Sequence, residues 1–253
     1  MAQGLSETGL PRRRLNRGDF YHLRRVNEQR KTTMPSEAIE DYLKAIYKAQ
    51  QAESKVSTSM LAKLMDVSPA SITAMVKKLA QRNLVTYRPY HGVKLTEPGH
   101  KIALEVIRHH RLVELYLKEA LGVPWDQVHK EADKWEHVLS EDLEKRIDKA
   151  LGHPNFDPHG APIPSAAGEL STKPKMTLLE LTPGNSSTVV EVNDHDPEML
   201  RYLTGLGIGL NTEVTVEQIE PFDGPLTLNV ANQQHSISRL VASNIFVADN
   251  GAA

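Results

Sequence analysis

The chain has 253 residues, a formal net charge of −2 and no cysteine, with 40% hydrophobic and 25% charged residues. That length accommodates two or three small domains with cores of their own, and the lack of cysteine excludes disulfides, thiolate metal sites and thiol redox sensing, so any metal must be held by oxygen and nitrogen. No apolar run approaches the roughly 18 residues that span a bilayer, and the amino terminus lacks the apolar stretch of a signal peptide, which predicts a cytoplasmic protein.

Residues 1–33 carry Arg12, Arg13, Arg14, Arg17, Arg24, Arg25, Arg30 and Lys31 against Glu7, Asp19 and Glu28, without helical or strand periodicity. They are expected to form a disordered basic arm, and Met34 would serve equally well as a start. From Ser36, a plausible N-cap, Ile39, Tyr42, Leu43, Ile46 and Tyr47 repeat at three and four and predict a helix with one apolar face. Two shorter helical patterns follow: Met60, Leu61, Leu64 and Met65, then Ile72, Met75, Val76 and Leu79. They are joined by Asp66-Val67-Ser68-Pro69, in which Ser68 is suited to cap the second helix and Pro69 to occupy its first turn. This pattern is a helix-turn-helix. Leu84 to Arg88 and Val93 to Leu95 alternate around Tyr90-His91-Gly92 and predict a β-hairpin, which makes the module a winged helix.

Thr96 and Pro98 open a long helix that ends at Leu121-Gly122. Its apolar positions spread too widely for one face, which favours packing on a partner chain and hence a homodimer. Further helices are expected from about Asp126 to Leu139 and from Ser140 to about Leu151. The Pro- and Gly-rich run from Gly152 to Pro164, and on to Pro174, reads as a boundary and linker. After Lys175 the pattern is mostly strand: 177–181, 188–192, 213–218, 226–230 and 245–247, with one short helix near 197–206, as in a small barrel. The expected organisation is an arm at 1–33, a winged helix at 34–97, a helical domain at 98–165, a linker at 166–175 and a small β domain at 176–253. The fold class is mainly α with a small β domain.

Two constellations carry chemistry. Asp133, Glu136 and His137 stand at i, i+3 and i+4 of a helical stretch and share a face, where clustered carboxylates become favourable with a cation. Asp41, in the winged-helix module, would complete a four-donor set for a divalent metal and tie that module to the helical domain. The bland alternative is a solvated acidic face. The second constellation is His110 and Glu114, at i and i+4 of the long helix, with His129 on the next; His109 points about 100° away and is expected to be a bystander. For nucleic acid, Ser68, Pro69, Ala70, Ser71 and Thr73 at the start of the recognition helix offer small groups to phosphates, base edges and thymine methyls. Lys77, Lys78 and Arg82 add backbone charge, and Arg88, His91 and Lys94 of the wing reach for phosphate or minor groove.

TTMPSEAIEDYLKAIY, VSPASITAMVKKLAQRNLV, KLTEPGHKIALEVIRHHRLVELYL and VHKEADKWEHVLSEDLEKRI together resemble the diphtheria toxin repressor family of metal-dependent regulators, continuously from Met34 to about Leu170. From Met176 the chain is similar, more loosely, to the SH3-like carboxy-terminal domain of the long, iron-type members. The resemblance implies a primary metal site at Asp41, Asp133, Glu136 and His137 and an ancillary one at His110, Glu114 and His129, with Asp196 and Glu198, and His195 third, as ligands lent by the SH3-like domain. Iron-type members have methionine and cysteine where this chain has Asp41 and Asp133, and manganese-type members have carboxylates there. The donor set therefore implies Mn(II), with Fe(II) possible and Co(II), Cd(II) or Zn(II) as substitutes in vitro. Manganese-type members place an acid where this chain has Lys44, which departs from their binuclear arrangement. The implied function is a DNA-binding repressor of metal uptake, a homodimer on a palindromic double-stranded operator, and not an enzyme. Two competitors remain: a metal-dependent hydrolase, against which stands the lack of HExxH, and a winged-helix regulator answering an organic ligand between Trp125 and Trp135.

Overall fold

A computed structural model describes residues 36–53, 55–89 and 91–249. The basic arm expected at 1–33 lies outside the described residues.

Helix α1 (Glu37–Ala52) buries Ile39, Tyr42, Leu43, Ile46 and Tyr47 on one side. Helices α2 (Thr58–Leu64) and α3 (Pro69–Gln81) are capped by Ser57 and Ser68, whose hydroxyls accept the N–H groups of Met60 and Ser71. Each cap supplies an acceptor to a donor that the first helical turn leaves free. Strands β1 (Val85–Arg88) and β2 (Gly92–Leu95) pair antiparallel as the wing, and Val56 adds a bridge to Val93. Leu43, Ile46, Leu61, Ile72, Leu79 and Val93 form one core with Ala103, Leu104 and Ile107 of the next helix. The start of the long helix thus belongs to the winged-helix core.

That helix, α4 (Glu97–Leu121), runs from a Thr96 cap to Gly122 in the left-handed conformation. Its second half packs with Val128, Ala132, Leu139, Ile147 and Ile163 in a separate core. Here two expectations are corrected. The helix foreseen from Asp126 to Leu139 is only α5 (Val128–Trp135); Glu136 caps it, and the N–H groups of Val138 and Leu139 both turn back to the Trp135 carbonyl. The turn swings Leu139 into the core and lets Ser140 cap α6 (Glu141–Ala150). The stretch from Gly152 to Pro164 is no loose linker either. Phe156 bridges Pro162, Asp157 and His159 are buried, and Arg108 donates to the Pro164 carbonyl.

The carboxy-terminal domain is a six-stranded antiparallel sheet in the order β3-β8-β4-β5-β6-β7. Its strands are β3 (Lys175–Thr177), β4 (Ser186–Val192), β5 (Glu213–Ile219), β6 (Leu226–Val230), β7 (Gln233–Ile237) and β8 (Ile245–Ala248). Helices α7 (Pro197–Gly205) and α8 (Arg239–Ala242) accompany it around a core containing Leu178, Val189, Leu200, Leu203, Val214, Leu228 and Ile245. The strand expected at 177–181 is mostly a 3-10 turn, Leu178–Glu180, because the Glu180 carboxylate accepts both the N–H and the hydroxyl of Thr177. β7 was not foreseen: its residues, QQHSI, lack apolar alternation, and it follows a two-residue turn in which Ala231 and Asn232 both have positive φ.

Candidate metal centre

The middle of α4 is a polar belt in an otherwise apolar helix: Arg108, His109, His110 and Glu114 are all buried. Burial of ionisable groups is tolerated only with partners, and each of these has one. Arg108 donates from Nε to Glu144 Oε1 at 2.6 Å and from a terminal nitrogen to the Pro164 carbonyl at 2.8 Å. His109, expected to be a bystander, is instead a brace: its two nitrogens lie 3.1 Å from the Glu136 carbonyl and 3.3 Å from Glu144 Oε2. Together, the His109 hydrogen bond and the Arg108 guanidinium hold the Glu144 carboxyl down at about 2, against the opposing effect of burial.

Glu136 is the hinge of the site. Its Oε1 lies 3.3 Å from His137 Nε2, and its Oε2 lies 2.5 Å from His110 Nδ1 and 2.7 Å from Lys44 Nζ. On the first side, His137 Nε2 is 2.9 Å from Asp41 Oδ1, so Asp41, Glu136 and His137 each bring a donor atom to within 4.8 Å of the others. Glu40 was overlooked in the sequence; its Oε2 sits 2.6 Å from His137 Nδ1. On the second side, Asp133 does not join Asp41 but groups with His110 and Glu136, its Oδ1 3.4 Å from His110 Nδ1. The end of α5 at Trp135 explains the division, since Glu136 and His137 leave on a turn while Asp133 stays on the helix. Lys44 Nζ stands in that second group, 3.2 Å from Asp133 Oδ1 and 3.1 Å from His110 Nδ1.

His110, Glu114 and His129 converge as foreseen, with Glu114 Oε1 2.9 Å from both His110 Nε2 and His129 Nδ1. Their fourth member is Asp194, whose Oδ2 is 3.4 Å from His129 Nδ1. Asp196 and Glu198, the residues expected to lend ligands, stand outside this cluster: Asp196 Oδ1 accepts the N–H groups of Glu198 and Met199 and caps α7. His195 packs edge-on against His129, 5.8 Å between centroids, and contacts Asp194.

The electrostatics follow. Hydrogen bonds to Asp41 and Glu40 raise His137 to about 10 despite partial burial. Burial alone would lower His129, but hydrogen bonds to Asp194 and Glu114 raise it to about 10. Burial would raise Glu114, yet the charge and hydrogen bond of His110 and the hydrogen bond of His129 bring it to about 2. In both clusters a protonated imidazole balances the carboxylates gathered around it.

Of the residues expected to meet DNA, Ser68, Pro69, Ala70, Ser71, Lys77, Lys78, Arg88, His91 and Lys94 are exposed and Thr73 is half-buried. The Ser68 hydroxyl is committed to its cap, and that of Thr73 donates to the Pro69 carbonyl. Trp125 and Trp135 share no pocket: Trp125 donates to Thr204 and stacks on His159, whereas Trp135 is partly exposed.

Three family models match the chain: "Iron dependent repressor, N-terminal DNA binding domain" over 34–93, "Iron dependent repressor, metal binding and dimerisation domain" over 96–165, and "FeoA domain" over 176–249. The iron-dependent repressor IdeR of Mycobacterium bovis is 34% identical over 191 residues, covering 70% of this chain and 83% of that one. The chain belongs to the diphtheria toxin repressor family of iron-dependent repressors. The diphtheria toxin repressor of Corynebacterium glutamicum is 28% identical over 187 residues, covering 70% of this chain and 82% of its own. Among solved structures, a manganese-dependent transcriptional repressor in complex with manganese is 38% identical at a TM-score of 0.78, covering 83% of this chain and 99% of its own. The repressor ScaR with bound Zn2+ is 31% identical at a TM-score of 0.73, covering 84% and 99%. Family membership, with its winged helix and SH3-like domain, makes neither the hydrolase nor the organic-ligand reading the favoured one.

A histidine ligates a metal only as the neutral imidazole, so if His137 and His129 are ligands, both raised to about 10, each would release a proton on loading. Mn(II) affinity is therefore expected to rise with pH between 6.5 and 8.5, roughly tenfold per unit for each proton displaced, with proton release visible when calorimetric enthalpies are compared across buffers. A flat profile contradicts the assignment. In chelator the sign reverses: these ion pairs contribute fully below about 6.5 and are lost as pH climbs through about 10, so the stripped protein weakens at alkaline pH.

Proposed function

We propose that this chain is a metal-dependent transcriptional repressor whose metal, Mn(II) in preference to Fe(II), governs its grip on DNA. The observation that carries the reading is the meeting of Asp41, on a helix of the winged-helix core, with Glu136 and His137 beyond α5. Asp41, Glu136 and His137 would hold the ion at the primary position, with Asp133 next to it, and His110, Glu114, His129 and Asp194 would hold an ancillary one. Sulfur-free carboxylate and imidazole donors suit Mn(II), and Co(II), Cd(II) or Zn(II) would substitute in vitro. When bound, the ion supplies a divalent charge that joins α1 to the turn after α5. Asp41, released from the His137 Nε2 proton, would then fix the winged helix relative to the helical domain, while Glu40 keeps His137 oriented through Nδ1.

In a homodimer that joint sets the separation of two recognition helices. A palindromic operator demands half-sites about 34 to 36 Å apart, or a multiple of it, so a small rotation at the joint decides whether both helices seat. Ser68, Pro69, Ala70, Ser71 and Thr73 would meet the groove, with Lys77, Lys78, Arg88, His91 and Lys94 on the backbone. We further propose domain limits at 34–97, 98–165 and 176–253 with a connector at 166–175, and cytoplasmic residence; no helix among the described residues is long and apolar enough to cross a membrane. No catalytic step enters this reading.

Lys44 decides how many ions the primary region takes. Its ammonium lies 2.7 Å from Glu136 and 3.2 Å from Asp133, so the protein's own cation neutralises the His110, Asp133 and Glu136 group.

Electrophoretic titration of operator DNA is expected to show roughly tenfold or greater tightening with Mn(II), by the reciprocity that makes DNA tighten metal binding equally. Asp41→Ala or His137→Ala should remove that gain; equal affinity with and without Mn(II) in the wild type sinks the proposal. Lys44→Glu, which trades the internal cation for a ligand, should take up one more Mn(II) per chain by elemental analysis. An unchanged count would mean that the ammonium does not hold that position.

A further inference from the structure

The wing is a hairpin of two four-residue strands, and a hairpin of that size has little stability alone. Along β2 the N–H groups of Val93 and Leu95 point away from β1, and each finds an acceptor outside the hairpin. Val93 donates to the Val56 carbonyl at 2.9 Å, which extends the wing by one bridge. Leu95 donates to Gln50 Oε1 at 3.0 Å. This second bond ties the edge of the wing to the last turn of α1.

Gln50 reaches the wing because of its place on the helix. It follows Leu43 by seven residues and Tyr47 by three, so it continues the buried side of α1, and the apolar stripe ends there in a carboxamide. An apolar side chain of the same length would fill the space but leave the Leu95 N–H without its acceptor, at a cost in free energy. Asp41 stands nine residues before Gln50, which is two and a half turns, so it lies about 13 Å away along the axis and on the opposite side. One side of α1 thus meets His137 through Asp41, and the other meets the wing through Gln50. Between them Tyr47 packs edge-on against His100 near the start of α4, 5.3 Å between centroids. Because α1 is one continuous helix over Glu37–Ala52, a rotation imposed at Asp41 is carried to Gln50. On the wing, Arg88 ends β1 and Lys94 precedes Leu95, and both are exposed. Neighbours on a strand face opposite sides, so fixing the Leu95 backbone fixes the direction in which Lys94 points.

We propose that Gln50 is a positioning residue for the wing: its carboxamide oxygen holds β2 against α1, and through that bond the orientation of α1 set by metal reaches Arg88 and Lys94 on the DNA backbone. Gln50 acts through Leu95 and itself touches neither ion nor DNA. The inference rests on the assignment of those two wing cations to phosphate in the reading above.

The test measures operator affinity of the full-length, Mn(II)-loaded protein between about 50 and 200 mM salt, where each phosphate contact given up makes the slope of log affinity against log salt shallower by about 0.9. The variants are Gln50→Met, of similar length but a poor acceptor, Gln50→Glu, which keeps the oxygen, and the wing pair Arg88→Ala with Lys94→Ala. Gln50→Met should bind roughly tenfold more weakly with a slope shallower by at least one such step, and Gln50→Glu should return the slope towards wild type. Each variant should take up the wild-type number of Mn(II) ions without DNA. Added to the wing pair, Gln50→Met should change little more, since the contacts it disturbs are already gone. Gln50→Met on the wild-type slope, or a loss that adds in full to that of the wing pair as a general loosening of the fold would, overturns the inference. If the wing pair alone leaves the slope unchanged, the assignment of the wing to phosphate falls and takes this inference with it, so the two failures are seen separately.

Discussion

The structure depends on neutralising charge around the middle of one helix. Arg108, His109, His110, Arg111 and Glu114 between them meet four elements: α6 through Glu144 and Asp148, the turn after α5 through Glu136, the 156–162 loop through Asp157, and the carboxy-terminal domain through Asp194 by way of His129. Removing one partner of such a buried pair costs several kcal/mol, of the order of 3 to 5, because the other charge is left in low dielectric. A single helical belt therefore fixes the register of four neighbours at once. The apolar cores on either side of it supply cohesion, but they do not specify which carboxylate faces which imidazole.

The same belt makes the molecule responsive. In the proposed reading, the carboxylates now paired by protons on His137 and His129 would be paired by a divalent ion instead. The mobile consequence lies at α1, which carries Glu40, Asp41 and Lys44 along one side and packs its apolar side into the winged-helix core. Lys44 keeps α1 tethered to Glu136 whatever occupies the His137 side. In the proposed reading, control by metal acts on the angle of a joint already made, with Asp41 exchanging the His137 Nε2 proton for the ion while Glu40 stays on Nδ1.

How far this was legible in the sequence divides along physical lines. The caps at Ser68, Thr96 and Ser140, the wing and the long helix are local features, written in residues that act on their own neighbours. The convergence of His110, Glu114 and His129 followed from helical spacing. What failed depended on competition between local and distant partners. Asp196, expected as a ligand, turns Oδ1 to a helix cap, and Asp194, two residues earlier, is the carboxylate that reaches His129. Asp133 was grouped with Asp41 because an unbroken helix was assumed through Leu139; the break at Trp135 turns the two carboxylates towards different cations. Glu40 and His109 carried no signal beyond adjacency to a foreseen residue. Pro and Gly density suggested a linker where the backbone is in fact folded tightly on Asp157.

Glu136 and Glu114 show why carboxylates, rather than further histidines, occupy the shared positions. Glu136 faces His137 with one oxygen and His110 with Lys44 with the other, and Glu114 meets both His110 and His129 through Oε1. An imidazole has two nitrogens on opposite sides of a rigid ring and can link sites only in a straight line, as His110 does between Glu136 and Glu114. Alternating the two kinds of bridge gives a chain of cation positions running from α1 to the SH3-like domain. A change of charge at Asp41 is then felt through His137 at Glu136, through His110 at Glu114, and through His129 at Asp194. In this arrangement the SH3-like domain, by way of Asp194, contributes to the same electrostatic balance that sets the winged helix.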